Sequence, residues 1–524
     1  MKNKQTIILF IVTIVSMLLG FIKEALIVNS MGISSDADIF IFASNLPILL
    51  FSSIGTILTT SFMPIYTEIR VNKNIDEANG YATEFLKYIL LICFIVVLLG
   101  EVFPTLIVKI LAPGLINYEV IKWTTRVMLP SVLILSILYT LNGILNSFGK
   151  VIITSSIQIP MHIILIFSSG IIYEKYGLEK SIMLILVGVI LQLLLIYIPT
   201  KKLGFKLNKK TDITTEFLKK SLSMIAPMAI GAMAMQINSL IATNLASRVG
   251  EGSITIISLA NKLYTASYSA VGYILVLLIF PILSELAAKK NINKMSEVLN
   301  TGIFKAIIFI TPVMVLMILL SNDIVKFFFG NEKFGDNNIN ITAKILSVYT
   351  CSLIIWGVKD ILNRAYYSLK ETKISMINGI ITVTINVIFS VLFIDEFGII
   401  GLAMASSISS IISVMLLIKK LNIIGLKLDT KKLVYYMRKI IIIVVIISVN
   451  IILFKNKIMW ITDSKLDQFV KLASISFITM LLYIVCIIVF FKKDVKEVFN
   501  RESESDKMNG RINKSKTIFE GEGK

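Results

Sequence analysis

Nine residues could do chemistry where charge is least expected: Lys23 and Glu24, Asp36 and Asp38, His162, Lys262, and Lys359, Asp360 and Arg364. Each lies within or at the edge of a long apolar run. An ionisable group there is costly unless it is paired, hydrogen-bonded or engaged by a ligand. Lys23 and Glu24 follow Gly20 and can pair with neighbouring helices. Asp36 and Asp38 open a run that contains Pro47, and either can cap a helix N-terminus. Arg364 can extend its guanidinium to the membrane surface. Lys262 is different. It lies about two turns into its run, no acid stands one turn away, and its partner must come from another helix or from a ligand. A buried cation of this kind suits an anionic substrate. A diphosphate fits, because a desolvated phosphate needs fixed cations or N–H donors.

Other chemistries find little support. His162 is the one histidine, set in IQIPMHIILIF, and reads as a core residue rather than a proton relay. Cys93, Cys351 and Cys486 fall in separate apolar runs with no CxxC pair, so neither a metal nor a redox site is indicated. No G-x-x-x-x-G-K-[ST] loop occurs, and no nucleophile or paired acid/base set stands out. An enzyme is not expected, and neither is a cofactor.

The elements that must position these groups follow from composition. Of 524 residues, 56% are hydrophobic and 16% charged, where about 25% charged is usual for a soluble domain. A soluble fold cannot hide that much apolar surface. The chain therefore reads as an all-α polytopic membrane protein. Runs long enough to cross hydrocarbon as helices fall at 5–28, 37–63, 85–110, 121–146, 151–173, 181–200, 217–247, 254–284, 300–321, 341–368, 374–394, 399–418, 434–454 and 468–491, fourteen in all. The net charge of +19 is read as cytoplasmic loops, not as nucleic-acid binding. Lys201, Lys202, Lys206, Lys209 and Lys210, then Lys289, Lys290 and Lys294, then Lys419, Lys420, Lys427, Lys431 and Lys432 crowd alternate loops. That pattern places both termini inside.

The chain also repeats itself. SSIGTILTTSFMPIYTE at 52–68 aligns with SAVGYILVLLIFPILSE at 269–285, pairing Gly55 with Gly272 and Pro64 with Pro281 at an offset of 217. The same offset carries Ile144-Leu145-Asn146 onto Ile361-Leu362-Asn363. The expected organisation is a six-helix bundle at 1–210, a second at 211–425, two extra transmembrane helices at 426–491, and a disordered cytoplasmic tail at 492–524. Both bundles start on the same side, so the repeat is parallel. Paired parallel bundles are an alternating-access architecture, with a substrate site between the bundles near the midplane. Pro47, Gly55, Gly272 and Arg364 are candidates for lining or gating it.

Several stretches carry a family resemblance. SMLLGFIKEALIVNSMG, DADIFIFASNLPILL and SFMPIYTE, then TRVMLPSVLILSILYTLNGILNSF at 125–148, SLANKLYTASYSAVGYILVLLIFPILSE at 258–285 and LNRAYYSLKETK at 362–373 resemble the MurJ/MviN lipid II flippases. That family sits within the multidrug/oligosaccharidyl-lipid/polysaccharide exporter superfamily. The resemblance runs through the first twelve helices in order, and fourteen helices is the family's number. It implies a monomer in the bacterial cytoplasmic membrane that moves undecaprenyl-diphosphate-linked peptidoglycan precursor to the outer leaflet. It also implies a cationic cavity between helices 1, 2, 7 and 8, and a lipid-tail groove at helices 13 and 14. By position, the second arginine of helix 1 falls on Lys23, the acid after it on Glu24, the helix 2 aspartate on Asp38, and the helix 8 arginine on Lys262. Two positions depart: the first helix 1 arginine falls on Met17, and the arginine after the helix 2 proline falls on Phe51 and Ser52.

These departures keep another cargo open, a different polyprenyl-linked oligosaccharide for a capsule or wall polymer. A multidrug or cation antiporter of the same superfamily is a second alternative. Such a protein usually has twelve helices and an acid-dominated cavity.

Overall fold

The computed structural model describes residues 2–57, 62–115, 117–207, 238–457 and 464–492. Most of the seventh run, the join of the second run at 58–61 and the tail from 493 on lie outside the described residues. What is described is helical. Among the described residues, ten helical segments are long and apolar enough to span a membrane by length and composition. One of these, Val151–Lys202, covers two of the expected runs.

The N-terminal part begins with α1 (Lys2–Met31) and α2 (Ser35–Ile57). Gly32, at φ +68°, ends α1 and turns the chain. After it come α3 (Met63–Asn72), α4 (Ile75–Val102), α5 (Pro104–Leu111), α6 (Tyr118–Met128) and α7 (Ser131–Ser147). Then follow α8 (Val151–Ser156), α9 (Gln158–Phe167) and α10 (Tyr173–Lys202). The run expected at 85–110 is thus two helices. Pro104 has no N–H to continue α4, and it begins α5 instead. The runs at 151–173 and 181–200 are separated where expected. Gly177 (φ +77°) breaks the helix, and the Ser168 and Ser181 hydroxyls each donate to the other's carbonyl across the turn.

The second part holds α11 (residues 238–249), α12 (Ser253–Ala288), α13 (Ile292–Leu319) and α14 (Ser321–Phe329). It continues with α15 (Gly335–Cys351), α16 (Leu353–Ser368), α17 (Thr372–Phe397) and α18 (Ile399–Lys420). Starting points recur at one interval: Ile75 and Ile292 open α4 and α13, Pro104 and Ser321 open α5 and α14, and Tyr118 and Gly335 open α6 and α15. Even the caps match, since Asn74 and Asn291 each accept the backbone N–H three residues on.

Two last helices, α19 (Thr430–Lys457) and α20 (Lys465–Phe490), lie against α13 and α14. Phe304 of α13 stacks on Tyr436 at 3.9 Å, and the Tyr483 hydroxyl donates to the Ile308 carbonyl at 2.6 Å. Apolar side chains such as Ile441, Val445, Val449 and Leu481 stay exposed. On a membrane protein that surface faces hydrocarbon and incurs no hydrophobic penalty.

Candidate functional site

A cavity of about 360 Å³ opens between α1, α2, α11 and α12. From α1 come Lys23, Glu24 and Ile27. From α12 come Ser258, Asn261, Lys262 and Thr265. Spacing explains the α12 set, because residues three and four apart share one helix face. Ile41, Ser44, Asn45 and Ile48 do the same on α2, while Ser239 and Thr243 complete the wall from α11.

Charge in the cavity is not balanced. Lys23 Nζ lies 2.7 Å from Glu24 Oε1, so these sequence neighbours pair with each other rather than with other helices. Glu24 is buried, and its second oxygen, Oε2, has no hydrogen-bond partner among the described residues. Lys262 reaches towards the same place from α12. No carboxylate among the described residues comes within ion-pair distance of it. Gly20 lets it approach: a Cβ there would stand 3.3 Å from Lys262 Nζ and 3.7 Å from His162 Cε1. The gap at Gly20 in α1 therefore lets the ends of Lys262 of α12 and His162 of α9 approach one point. His162, read from sequence as a core residue, lies beside the lysine cluster.

Asp38 is engaged elsewhere. Its Oδ1 accepts the backbone N–H of Thr255 at 2.8 Å and the Thr255 hydroxyl at 2.6 Å. Thr255 lies in the first turn of α12, where free N–H groups and the helix dipole favour an anion. The start of α2 has its own cap, Ser34, whose hydroxyl accepts from the Ala37 N–H. Asp38 is thus left to hold α12. Asp36 accepts from the Tyr173 hydroxyl at 2.8 Å, so its partner is on α10 rather than α12.

The Asp38–Thr255 contact is part of a seam at the end where α1 turns into α2. There the Lys333 ammonium donates to the Ser30 carbonyl at 2.6 Å, and the Gly114 N–H donates to the Ser247 hydroxyl at 3.2 Å. The Asn244 amide donates to the Ile110 carbonyl. The fit is tight, since a Cβ on Gly114 would overlap the Ser247 backbone.

The other candidates sit apart from the cavity. Pro47 is buried inside α2, and Gly55 lies in that helix's last turns. Gly272 makes room for the ring of Tyr268, which would otherwise meet a Cβ at 2.3 Å. The Tyr268 hydroxyl donates to Asp360 at 2.5 Å. Arg364 lies over the Phe280 ring at 5.1 Å. At the departing positions, Phe51 is buried against Tyr139 of α7, and Met17 is half-buried on α1. The polar groups of the cavity that sequence reading passed over include Ser44, Asn45, Ser258, Asn261 and Thr265. Their signal was amide and hydroxyl side chains in mid-span, on the same helices as the charges.

Comparison with known proteins gives one consistent family. The family model for lipid II flippase MurJ matches residues 27–471. A probable lipid II flippase MurJ of Buchnera aphidicola subsp. Baizongia pistaciae is 27% identical over 425 residues, 80% of this chain and 83% of that one. A solved structure of lipid II flippase MurJ in an inward closed conformation superposes with a TM-score of 0.79 at 25% identity, covering 93% of this chain and all of that one. An inward-facing multidrug MATE transporter is similar in fold, with a TM-score of 0.64 at 16% identity over 76% of this chain.

Proposed function

The chain belongs to the lipid II flippase MurJ family, and from that premise we infer that the cavity between α1, α2, α11 and α12 receives the diphosphate of lipid II. The protein is a multi-pass membrane transporter that moves lipid II across the bilayer for cell-wall synthesis, and it is not an enzyme. One observation carries the site assignment. Lys262 reaches a polar cavity with no carboxylate partner among the described residues, beside an already paired Lys23 and Glu24. A desolvated ammonium without a protein anion is a place for a ligand anion.

With both termini inside, the Asp38–Thr255 seam is at the outer end. The state described then has its outer end closed. The diphosphate enters from the inner side to Lys262 and Lys23 while the lipid tail remains in the bilayer. The bundles rock, the seam parts, and the head leaves outward. Pro47 supports bending of α2, because its ring removes one helical hydrogen bond. An inside-negative potential favours the outward passage of each negative charge by about 2.3 kcal/mol per 100 mV.

The rocking units are the bundles at 1–210 and 211–425, with 426–491 as an appendix. The recurring helix starts and the matched Asn74 and Asn291 caps support this division. So does the Asp38–Thr255 bond, whose partners are 217 residues apart, the offset of the repeat. Counterparts of a two-fold repeat touch only where its axis passes. The cavity is completed by helices of a single chain, which supports a monomer.

The test is rescue of bacteria depleted of their own lipid II flippase. Outer-leaflet lipid II is read by its accessibility to an added lipid II-cleaving toxin. The unmodified protein should restore accessibility, and Lys262→Ala and Lys23→Ala should lose it while still reaching the membrane. Restoration by both variants removes the site assignment. Failure of the unmodified, well-expressed protein redirects the cargo to another polyprenyl-linked saccharide.

A further inference from the structure

We propose that His162, which stands beside this cavity next to Lys262 rather than on its wall, takes up a proton when the diphosphate of lipid II binds. The proposal rests on the reading of the cavity as the diphosphate site.

Geometry brings the imidazole there. His162 is on α9, which packs along α1. Its Cε1 and Lys262 Nζ both lie within 4 Å of the point where a Cβ of Gly20 would stand. Glycine at position 20 leaves this point open to both side chains. His162 Nδ1 is buried, and it has no hydrogen-bond partner among the described residues. A buried ring nitrogen without a partner calls for an explanation, and a proton taken up on ligand binding supplies one.

The charged groups facing the ring are Lys23 and Glu24 on α1 and Lys262 on α12. α10, on another side of α9, instead sets Gly188 against Met161 and Ile164. Charge bookkeeping then sets the direction. Lys23 and Glu24 form a neutral pair, and Lys262 supplies the remaining positive charge. A diphosphate diester carries more than one negative charge, so one lysine leaves the complex short of a cation. While the cavity is empty, the Lys262 ammonium is the net charge beside the ring. When the anion arrives, that field reverses and the imidazolium becomes the favoured form. Histidine is suited to this, since its ordinary pKa of about 6.5 lies near the pH of the cell interior.

Lipid II binding to the purified full-length protein in detergent, measured across pH 6 to 8, tests the proposal. Uptake of one proton on binding should weaken affinity by up to about tenfold per pH unit as pH rises. His162→Gln should bind as weakly at pH 6 as at pH 8, and His162→Arg should bind tightly at both. A second measurement needs no variant. The chain has one histidine, so imidazole-labelled protein gives a single Cε1–H resonance. At pH 7 lipid II should move it to the imidazolium position. A resonance that stays neutral with saturating lipid II overturns the proposal, as does an unchanged pH dependence in His162→Gln. Lys262→Ala separates the two levels. Normal binding by that variant overturns the cavity reading and this proposal with it. Lost binding there, with His162→Gln behaving as the unmodified protein, overturns only the role of His162.

Discussion

α2 and α12 present the same register to the cavity and different chemistry. Ile41, Ser44, Asn45 and Ile48 face it from one side, and Ser258, Asn261, Lys262 and Thr265 from the other. Each pair is 217 residues apart, the separation of the bonded Asp38 and Thr255. In the repeat we propose, these are counterparts about one axis. Where α2 places isoleucines, α12 places hydroxyls; where α2 has an amide, α12 has an ammonium. The common register is what two bundles need in order to rock against each other. The unequal chemistry directs the substrate, since an anion in this cavity belongs against α12. Symmetry resides in the backbone, and recognition in the side chains that break it.

The largest expected effect comes from erasing that difference. Lys262→Asn gives α12 the residue that α2 already has. A charge-assisted bond to phosphate contributes about 1.5–3 kcal/mol, so flipping should fall by roughly ten- to a hundredfold in the toxin-accessibility assay. Adding Asn45→Lys moves the ammonium to its counterpart across the cavity. Partial recovery in the double variant would show that the cavity needs the charge more than its exact side. A double variant as inactive as Lys262→Asn would show that the α12 surroundings, including His162 and the gap at Gly20, are indispensable.

The next test concerns a place where counterparts meet, Asp38 and Thr255. Asp38→Ala removes a carboxylate from the first turn of α12 and leaves the Thr255 N–H without its acceptor. About 2 kcal/mol of support for the closed seam should be lost, a shift of about thirtyfold towards the open form. Thr255→Val keeps the N–H and loses only the hydroxyl bond, so about 1 kcal/mol and about fivefold is expected. An impermeant thiol reagent applied from outside reads both, using a cysteine placed at Asn244 in the same seam. Equal labelling in Asp38→Ala and the parent would mean that this contact does not hold the outer end shut.

How much of this could be read from sequence depended on the range of the interaction. The membrane runs were legible because hydrocarbon imposes length and apolarity on each one separately. Lys262 was legible for the same reason, as a charge in an apolar run. The second role of Asp38 was not. A local pattern suggests a cap for its own helix, and the structure gives that task to Ser34 while Asp38 caps α12. His162 was read as a core residue because its setting depends on an absent side chain, at Gly20, on a different helix. Phe51 was visible as a departure from the family pattern, but its burial against Tyr139 is a fact of packing. The break of the 85–110 run at Pro104 was in plain sight, and hydropathy averaged over it.

The smallest effect is expected farthest from the counterpart faces, at the appendix. Asp323 of α14 receives Lys455 of α19 at 2.8 Å and Lys471 of α20 at 3.2 Å. Lys465 donates to the Phe327 and Gly330 carbonyls at the C-terminal end of α14. α14 also touches α1, where Phe21 stacks on Phe328 at 5.4 Å. Burial pushes the Asp323 carboxyl up, but the hydrogen bond and charge of Lys455, joined by Lys471, overcome this and hold it below the ordinary carboxylate range. A carboxylate depressed in the folded state contributes stability above its unfolded pKa and loses it as pH falls through the folded value. All three side chains are partly exposed, so the contribution is about 1 kcal/mol or less. Asp323→Asn should therefore lower the thermal unfolding midpoint of the detergent-solubilised protein slightly at pH 7. The gap to the parent should close below about pH 4 as the parent's carboxyl protonates. Flipping should stay within about twofold of the parent, because no member of this cluster lines the cavity. A loss as large as that of Lys262→Asn would show that α14 transmits the state of α19 and α20 to α1. The appendix would then be part of the moving machinery, and the two faces of the cavity would no longer suffice to explain transport.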